Sequence, residues 1–281
     1  MRLLITGAAG MLGRDVVEVA TAAGHDVVGL ARADLDITRG AEVRAAVSAA
    51  GPDAVINCAA WTDVDGAESD EEAATAVNGT GAGNVASAAA RAGALVVHPS
   101  SDYVFDGTAT DAYLESSATG PLSAYGRSKL AGERAVAQAA PRTAIVRSSW
   151  LFGAGGKNFV DTMLRLAGER DEVTVVDDQV GCPTFTGHLA TALVEVAERG
   201  LTGTMHVAGA GQCSWYDLAV AAFEASGAEC EVHRGRTADL GRPAPRPAFS
   251  VLRSERDDAP VLPDWREGLR EYLHAREVLA A

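Results

Sequence analysis

Lysine is nearly absent from this chain of 281 residues. Lys129 and Lys157 are its only lysines, and all other basic side chains are arginines. The 38 acidic residues outnumber the 24 basic ones and leave a net charge of −14. Proteins that bind nucleic acid need a basic stripe or patch on their surface. The charge balance therefore argues against nucleic acid as a partner.

Cysteine pairs and long apolar runs are missing as well. The four cysteines form no CxxC pair and have no histidine cluster beside them, so we predict no zinc site and no other metal site. No apolar run approaches the ~18 residues that a membrane-spanning helix needs. The first apolar run starts at residue 2, which leaves no space for a signal peptide. We therefore expect a cytoplasmic protein without a membrane partner.

Apolar residues are abundant and alternate between two patterns. They make up 47% of the chain, enough for a buried core in one large domain or in a domain with a smaller lobe. Continuous apolar strands separated by helices predict a parallel sheet that is covered on both faces. We therefore predict an α/β fold, a Rossmann-type doubly wound parallel sheet. The predicted strands are RLLIT (2–6), HDVVGL (25–30), PDAVINCAA (52–60), ALVVHPSS (94–101) and RTAIVRSS (142–149).

The alternation becomes irregular after Trp150. A glycine-rich loop, GAGGKN, occupies residues 153–158, and a proline-rich segment occupies residues 241–252. We therefore predict a smaller C-terminal lobe beside the main domain. The predicted main domain comprises residues 1–150 plus about 185–208, and the predicted lobe comprises residues 151–184 plus 209–281.

A glycine pattern follows the first predicted strand directly. Gly7, Gly10 and Gly13 stand at GxxGxxG spacing, and the helix that follows starts near Met11 and Leu12. In dinucleotide-binding folds the first glycine permits a tight turn, the second lets the backbone approach a pyrophosphate, and the third lets the helix pack on the sheet. The amides and the dipole of the helix then offset the phosphate charge. At the first strand of an α/β chain, this pattern predicts a dinucleotide site rather than an ordinary turn. The candidate cofactor-binding residues in it are Gly7, Gly10, Met11, Leu12 and Gly13.

The residues after the second predicted strand indicate which dinucleotide binds. NAD enzymes usually place an acidic residue there to hold the ribose 2′-hydroxyl, but this chain has Ala31 followed by Arg32. An arginine favours a 2′-phosphate, so we predict NADPH as the cofactor and keep NADH as the alternative. A solvated surface arginine is the competing interpretation of Arg32. Asp36 and Ile37 follow as candidates for contact with the adenine.

Tyr125 and Lys129 lie four residues apart at the start of a predicted helix and therefore share one face. A free tyrosine has a pKa of about 10, too high for efficient proton exchange near neutral pH. A nearby ammonium favours the phenolate, so we expect Lys129 to lower the pKa of Tyr125. The helix follows the fourth predicted strand, whose end carries Ser101. This position, more than the spacing alone, indicates a catalytic pair.

The glycine loop, Ser101 and the Tyr125–Lys129 pair together resemble the extended short-chain dehydrogenase/reductases that act on sugar nucleotides. More specifically, the chain resembles the dTDP-4-dehydrorhamnose reductase family. Two positions depart from the family, since Ser101 stands where threonine is frequent and Trp61 where histidine or tyrosine is more usual. The matching stretches, spread over nearly the whole chain, are SSDYVFDG (100–107), YGRSKLAGE (125–133), VRSSWLFG (146–153), NFVDTMLRLA (158–167), DQVGCPT (178–184), RPAFSVL (246–252) and LPDWREGLREYL (262–273).

The resemblance implies the reduction of a ketone at carbon 4 of a dTDP-linked 6-deoxy sugar by a reduced nicotinamide. Tyr125 is expected to supply the proton to the ketone oxygen, and Ser101 is expected to donate a hydrogen bond to the same oxygen. Lys129 is expected to lower the pKa of Tyr125 and to hold the hydroxyls of the nicotinamide ribose. The nicotinamide side of the cofactor is expected to be lined by Ala59, Ala60 and Trp61.

The resemblance implies that the main domain is the NAD(P)-binding Rossmann domain and that the smaller C-terminal lobe is the substrate-binding lobe for the sugar nucleotide. Candidate substrate contacts lie in both. Asp102 adjoins Ser101 and either reaches a sugar hydroxyl or fixes its own loop. Trp150 follows the fifth predicted strand and packs either on the sugar face or between the lobes. The remaining candidates, in matching loops of the second lobe, are Asn158, Gln179 and Thr184. The resemblance also allows a homodimer.

Three alternative functions stay open at this point. Sugar-nucleotide epimerases and dehydratases share the fold, but they usually retain NAD and carry an acid near position 31, where this chain has Ala31 and Arg32. Regulatory subunits of methionine adenosyltransferase are similar chains without catalysis, and the intact Ser101, Tyr125 and Lys129 argue against that function. A reductase of another nucleotide-linked 4-keto-6-deoxy sugar stays open as an alternative, because the shape of the pocket sets the sugar stereochemistry.

Overall fold

A central six-stranded sheet organises the protein, as described by a computed structural model. The structure describes the backbone of residues 1–280 and the side chains of residues 1–276. The strands are, in chain order, β1 (Arg2–Thr6), β2 (Asp26–Leu30), β3 (Ala54–Asn57), β4 (Leu95–Ser101), β5 (Thr143–Ser148), β6 (Leu151–Phe152), β7 (Glu172–Val176), β8 (Val180–Gly181), β9 (Thr184–Phe185), β10 (Gly203–His206), β11 (Cys213–Ser214) and β12 (Glu231–Gly235).

Helices connect the strands and cover both faces of the sheet. They are α1 (Met11–Ala22), α2 (Gly40–Ala50), α3 (Val64–Ser69), α4 (Glu71–Thr75), α5 (Ala82–Arg91), α6 (Ala124–Ala139), α7 (Phe159–Ala167), α8 (Thr186–Arg199), α9 (Trp215–Ser226) and α10 (Trp265–Ala280). Within residues 1–280, no helix combines the length and the apolar character that crossing a membrane requires.

The six central strands all run parallel, in the order β10-β5-β4-β3-β1-β2. The chain winds outward in one direction from β1 to β2 and in the other from β3 onward, so the strand order reverses between β1 and β3. In sheets of this kind, ligands bind beyond the carboxyl ends of the strands at the reversal point. The predicted α/β fold with a doubly wound parallel sheet is confirmed.

The alternation of side chains along β1 explains why its three central residues, Leu3, Leu4 and Ile5, are all apolar. Leu3 and Ile5 point to one face, where they pack in a cluster with residues of α1 and α8. Leu4 points to the other face and packs in a cluster with residues of α2 and α5. Successive residues of a strand face opposite sides of the sheet. A strand covered on both sides therefore needs an apolar residue at every position.

The segment between β3 and β4 is divided into several short helical pieces. Asp70 separates α3 from α4, and its carboxylate accepts a hydrogen bond from the Ala73 amide at 2.9 Å. Residues Ala76–Gly81 then form a π-helical segment that leads into α5. Segments of π-helix inside α-helices are frequent at functional sites. This one carries Asn78 toward the carboxyl ends of the strands.

The later part of the chain divides between the central sheet and a smaller lobe. Helix α8 packs in one cluster with α1, and β10 extends the central sheet beside β5. The smaller lobe contains the parallel pair β7–β12 and an apolar cluster built around Phe152, Trp265 and Tyr272. The predicted boundaries, 1–150 plus about 185–208 and 151–184 plus 209–281, stay a prediction.

Helix α8 offers a direct test of the packing between α1 and the sheet. Leu193 on α8 is fully buried in that cluster, whereas Leu240 is 50% exposed. Leu193→Ala is expected to lower the free energy of unfolding by about 2–5 kcal/mol, because the substitution leaves a cavity in a closely packed core. Leu240→Ala is the matched control and should change it by less than about 0.5 kcal/mol. Chemical denaturation measures both, and equal losses would contradict the described packing.

Candidate active site

The carboxyl ends of β1, β3, β4 and β5 lie side by side and carry the polar groups that the sequence singled out. The parallel register places Thr6 of β1 opposite Asn57 of β3, and Ser101 of β4 opposite Ser148 of β5. The Thr6 hydroxyl donates to Asn57 Oδ1 at 2.6 Å in the buried interior. The loops that follow these strands therefore start from fixed points along one edge of the sheet.

The glycine loop between β1 and α1 lies flat against the loop that follows β3. Gly7 has a φ of 65°, and a Cβ at this position would overlap the backbone of Ala59. A Cβ on Gly13 would overlap the Gly7 carbonyl group. Gly10 precedes α1 and has no side chain that could cap the first amides of this helix. These first-turn amides, which include that of Met11, therefore stay available to an anion. The loop therefore fits the pyrophosphate of a dinucleotide.

The predicted adenosine contacts lie in different environments. Arg32 is exposed just beyond β2, and among the residues described it makes no ion pair or hydrogen bond through its side chain. The Asp36 carboxylate accepts hydrogen bonds from the Thr38 amide at 3.0 Å and from the Thr38 hydroxyl at 2.7 Å. These two bonds lower the pKa of Asp36. Ile37 is buried in the apolar cluster on the α2 and α5 side. The adenine contacts of Asp36 and Ile37 stay predictions.

Asn78 holds the segment predicted to line the nicotinamide. Its Oδ1 accepts from the Trp61 amide at 2.8 Å, and its Nδ2 donates to the Trp61 carbonyl at 3.0 Å. The same Nδ2 donates to the Ser128 hydroxyl at 2.9 Å, which ties this segment to α6. Ala59 and Ala60 precede Trp61 in the loop that faces Gly7. Asn78 was not predicted as a site residue, although the glycines around it in a helical stretch indicated an irregular backbone.

The first turn of α6 is fixed from two sides, and this turn carries Tyr125. The Ser123 hydroxyl accepts from the Gly126 amide at 3.1 Å as the N-cap. The Glu68 carboxylate on α3 accepts from the Ala124 amide at 2.7 Å. Amides at a helix start have no partner within the helix, so both bonds satisfy groups that would otherwise be left unpaired. Glu68 was not predicted, because its partner is distant in sequence.

Ser101, Tyr125 and Lys129 meet at the carboxyl end of β4. The Lys129 ammonium is only 4% exposed and donates to the Pro99 carbonyl oxygen at 2.8 Å. Burial lowers the pKa of Lys129 to about 8, and Glu133 opposes this effect. The Ser101 hydroxyl adjoins Tyr125 and lowers the pKa of its phenol. The three predicted catalytic side chains are thus brought together by two elements, β4 and α6.

The predicted lowering of the Tyr125 pKa is wrong for the protein chain by itself. Burial raises that pKa to about 12, and the Asp102 carboxylate adds to the rise, whereas the Ser101 hydroxyl opposes it. Lys129 lies one helical turn away and directs its ammonium to Pro99, so desolvation of the phenolate outweighs the attraction expected from the spacing. Tyr125 is therefore a protonated phenol at neutral pH, the form in which it can donate a proton.

Asp102 lies behind Ser101 and is only 1% exposed. Its Oδ1 accepts from the Ser101 hydroxyl at 3.0 Å, and the Tyr103 amide donates to the same hydroxyl at 3.1 Å. Burial raises the pKa of Asp102 to about 6, and the nearby hydroxyls of Ser250 and Ser101 oppose this rise. These two hydrogen bonds hold the Ser101 oxygen in place at the end of β4. The predicted contact of Asp102 with a sugar hydroxyl stays a prediction.

Trp150 joins β5 to the smaller lobe and has an unusual backbone conformation. Its φ is 50°, and it is the only non-glycine residue with a positive φ in the described part of the chain. Its ring stacks on Trp215 with centroids 3.6 Å apart and planes within 3°. The Trp215 indole donates to Gln179 Oε1 at 3.0 Å. One face of Trp150 is thus covered by Trp215, a residue that the sequence analysis did not single out.

The three remaining substrate candidates have partners inside the protein. Asn158 caps α7 by accepting from the Asp161 amide at 2.9 Å, and its Nδ2 donates to the Gly153 carbonyl at 2.9 Å. Gln179 donates to the Thr237 hydroxyl at 2.8 Å, in addition to its bond with the Trp215 indole. The hydroxyl of fully buried Thr184 accepts from the Gly209 amide at 3.0 Å. These residues hold the backbone of the lobe, and their contacts with substrate stay predictions.

Among the residues that the structure describes, no group of three or more His, Cys, Asp or Glu side chains lies close enough together to hold a metal ion. All four cysteines are free thiols.

Comparison with known proteins places this chain among reductases of nucleotide sugars. The family model described as RmlD substrate binding domain matches residues 1–278. The chain is 46% identical to a dTDP-4-dehydrorhamnose reductase of Mycolicibacterium smegmatis, covering 98% of this chain and 85% of that protein. It is 43% identical to a dTDP-4-keto-6-deoxy-D-glucose reductase of Streptomyces niveus, covering 97% and 93%. A crystal structure of dTDP-4-dehydrorhamnose reductase from Bacillus anthracis in complex with NADP is 37% identical, with a TM-score of 0.95 over 98% of this chain and 99% of that chain.

The raised pKa of Asp102 predicts how stability depends on pH. The folded protein binds the Asp102 proton more tightly than the unfolded chain does, whose aspartate pKa is about 3.9. Ionisation of Asp102 therefore costs stability as the pH rises from about 4 to about 7. Relative to Asp102→Asn, the wild-type free energy of unfolding should fall by roughly 3 kcal/mol over that range.

Urea denaturation at a series of pH values measures this difference. Asp111→Asn at an exposed position is the matched control and should run parallel to wild type. Parallel curves for Asp102→Asn and wild type would show that Asp102 has no raised pKa in the folded protein.

Proposed function

This chain belongs to the dTDP-4-dehydrorhamnose reductase family, and we propose that it uses NADPH to reduce the 4-keto group of dTDP-4-dehydro-L-rhamnose to dTDP-L-rhamnose. The observation that carries this proposal is the meeting of Ser101, a protonated Tyr125 and a buried Lys129 at the end of β4. NADH is the alternative reductant. The cytoplasmic location, the homodimer and the exclusion of nucleic acid, all predicted from the sequence, stay predictions.

The dinucleotide is held by backbone at one end and by side chains at the other. The flat loop from Gly7 to Gly13 leaves its first-turn amides to the pyrophosphate, and Arg32 is available for a 2′-phosphate beyond β2. Bound NADPH supplies the hydride for carbon 4 of the sugar. The segment of Ala59, Ala60 and Trp61, held by Asn78, lines the nicotinamide side.

Proton transfer is the task of the chain's own residues. When the sugar binds, the Ser101 hydroxyl turns its single proton from Asp102 Oδ1 to the ketone oxygen and orients that oxygen by a hydrogen bond. The Tyr125 phenol donates its proton to the same oxygen as negative charge develops there. The Lys129 ammonium binds the ribose hydroxyls of the cofactor and stabilises the phenolate that Tyr125 becomes. The high pKa of Tyr125 in the chain itself ensures that the proton is present when the reaction begins.

Binding of the sugar involves residues on both sides of the cleft. Trp150, held in place by Trp215, offers its remaining surface to the sugar, and Asp102 acts on the sugar through the Ser101 hydroxyl or directly. Asn158, Gln179 and Thr184 support this wall from within the lobe and are candidate contacts for the nucleotide.

A second candidate function is the reduction of another dTDP-linked 4-keto-6-deoxy sugar. The similarity to the Streptomyces niveus protein, named for such a substrate, favours this alternative. The two substrates differ in sugar stereochemistry but would use the same Ser101, Tyr125 and Lys129. The two functions are separated by measuring kcat/KM with NADPH in excess. The value for dTDP-4-dehydro-L-rhamnose is compared with the values for its epimers, the dTDP-linked 4-keto-6-deoxy sugars of different stereochemistry.

Tyr125→Phe tests the assigned proton donor. The substitution removes only the phenolic hydroxyl, so we expect kcat for the nucleotide sugar to fall by about 10²–10⁴-fold. NADPH affinity, followed by fluorescence titration, should stay close to wild type because the ring and Lys129 remain. NADPH oxidation in the presence of dTDP-4-dehydro-L-rhamnose measures the rate. A near-wild-type rate in this variant would end the assignment.

Arg32→Ala tests the choice of cofactor. A charged hydrogen bond to the 2′-phosphate contributes about 1.5–3 kcal/mol, so NADPH affinity should fall by roughly 10–100-fold. NADH has no 2′-phosphate, and its affinity should not change. Arg39→Ala is the matched control, since Arg39 is exposed nearby and pairs with Glu42. Equal NADPH affinities in wild type and Arg32→Ala would reject the role of Arg32.

A further inference from the structure

A buried ion pair lies behind the catalytic helix and has no part in the chemistry described so far. Arg147 on β5 donates to both carboxylate oxygens of Glu133 on α6, from Nε at 2.8 Å and from Nη2 at 2.7 Å. The Glu133 side chain is 5% exposed and the Arg147 side chain 7%. Removing two charges from water is costly, and apolar residues of similar volume often serve stability as well or better. Stability alone therefore does not explain the pair.

The position of Glu133 connects the pair to the active site. Glu133 follows Lys129 by four residues, so the two side chains lie on the same face of α6 one turn apart. Lys129 directs its ammonium to the Pro99 carbonyl, a neutral group. No carboxylate among the described side chains forms an ion pair with Lys129, and both oxygens of Glu133 accept from Arg147 instead. Glu133 therefore acts on Lys129 through space.

The other titratable groups that face Lys129 are uncharged at neutral pH. From the end of β3, Cys58 has a pKa raised to about 12 by burial. From β4, His98 has a pKa held well below its usual value by burial and by the Lys129 charge. On α6 itself, Tyr125 has a pKa raised to about 12. Burial lowers the pKa of Lys129 to about 8, and Glu133 is the largest influence that opposes this shift.

Arg147 is itself fixed in the interior. Its Nη1 lies 3.4 Å from His206 Nε2, and its guanidinium lies 5.2 Å from the centre of the Phe105 ring. Burial lowers the pKa of His206, so this neighbour is neutral at pH 7. A guanidinium that is held in this way presents its two donors to Glu133 in one geometry. The carboxylate is thereby kept beside Lys129 without being free to draw the ammonium away from Pro99.

We propose that Glu133 is a positioning residue for the reduction: held by Arg147, it supplies the negative potential that keeps Lys129 charged beside the Pro99 carbonyl, from where the ammonium binds the cofactor ribose. The inference rests on the proposed function, in which the charged form of Lys129 is the active one. Loss of the Glu133 charge removes the main influence that opposes the lowering of the Lys129 pKa by burial, so the Lys129 proton is lost at lower pH. The alkaline limb of the pH–rate profile then moves toward neutral pH.

Glu133→Gln is the first test, because the amide keeps the shape of the side chain and removes its charge. The full-length protein is assayed with NADPH and the nucleotide sugar from about pH 6 to about pH 10. We expect the alkaline limb of kcat/KM to move down by about one pH unit, with only a modest change below pH 7. NADPH affinity measured over the same range should show the same displacement, independently of the sugar.

A double variant separates this electrostatic role from a structural one. Breaking a buried pair on one side can unfold a protein, whereas replacing both partners with apolar residues is often tolerated. Glu133→Met combined with Arg147→Leu should therefore fold and still show the displaced limb. Recovery of the wild-type pH profile in the double variant would mean that the unpaired Arg147 charge, and not the loss of the Glu133 charge, displaces the limb in Glu133→Gln, and would overturn the proposal.

Arg127→Gln is the matched control for loss of an ion pair from α6. Arg127 lies on the same helix but pairs with Glu71 on the exposed side, where both side chains are 44% exposed. Its pH profile should coincide with that of wild type. An unchanged limb in Glu133→Gln, with an active wild type, would overturn the inference and leave the proposed function intact. A wild type that binds NADPH but reduces no 4-keto sugar would reject the proposed function, and the affinity profile would still decide the role of Glu133.

Discussion

The buried ammonium of Lys129 is the constraint on which the rest of the site depends. A charged group with so little access to water is costly unless neighbouring groups compensate for the lost hydration. Here the Pro99 carbonyl provides a hydrogen bond, and Glu133 provides a negative charge one turn away. Both interactions of Lys129 require α6 to lie at one fixed position along β4. Ser123 and Glu68 determine that position by fixing the first turn of the helix, which also carries Tyr125.

Burial shifts the acids and bases of the site in one common direction, toward their uncharged forms. It raises the pKa of Tyr125 and of Asp102 and lowers the pKa of Lys129 and of His98. Desolvation penalises whichever form carries charge, so acids and bases respond with opposite shifts. For a reduction this is useful, because the proton donor stays protonated until charge develops on the ketone oxygen. The function of Lys129 then depends on Glu133, the largest influence that opposes this trend at the ammonium.

The smaller lobe contributes structure to the site more than free functional groups. Asn158, Gln179 and Thr184 direct their polar atoms to neighbouring backbone and side chains. Their bonds hold the loops between β6 and β9, and Gln179 anchors the Trp215 ring on which Trp150 stacks. The left-handed backbone of Trp150 is tolerated because this packing determines where the ring must lie. The wall of the cleft is thus built from partners that are distant in the sequence.

Features that arise from residues close together in the chain could be predicted from local sequence patterns. The glycine loop, the parallel α/β fold, and the shared helix face of Tyr125 and Lys129 follow from local spacing, because the geometry of a turn or a helix is the same in every protein. Three features could be seen only in the folded protein. They are the raised pKa of Tyr125, the hydrogen bonds by which Asn78 and Glu68 hold the site, and the ion pair between Glu133 and Arg147. Burial and long-range pairing depend on which elements pack together, and no short stretch of sequence contains that information.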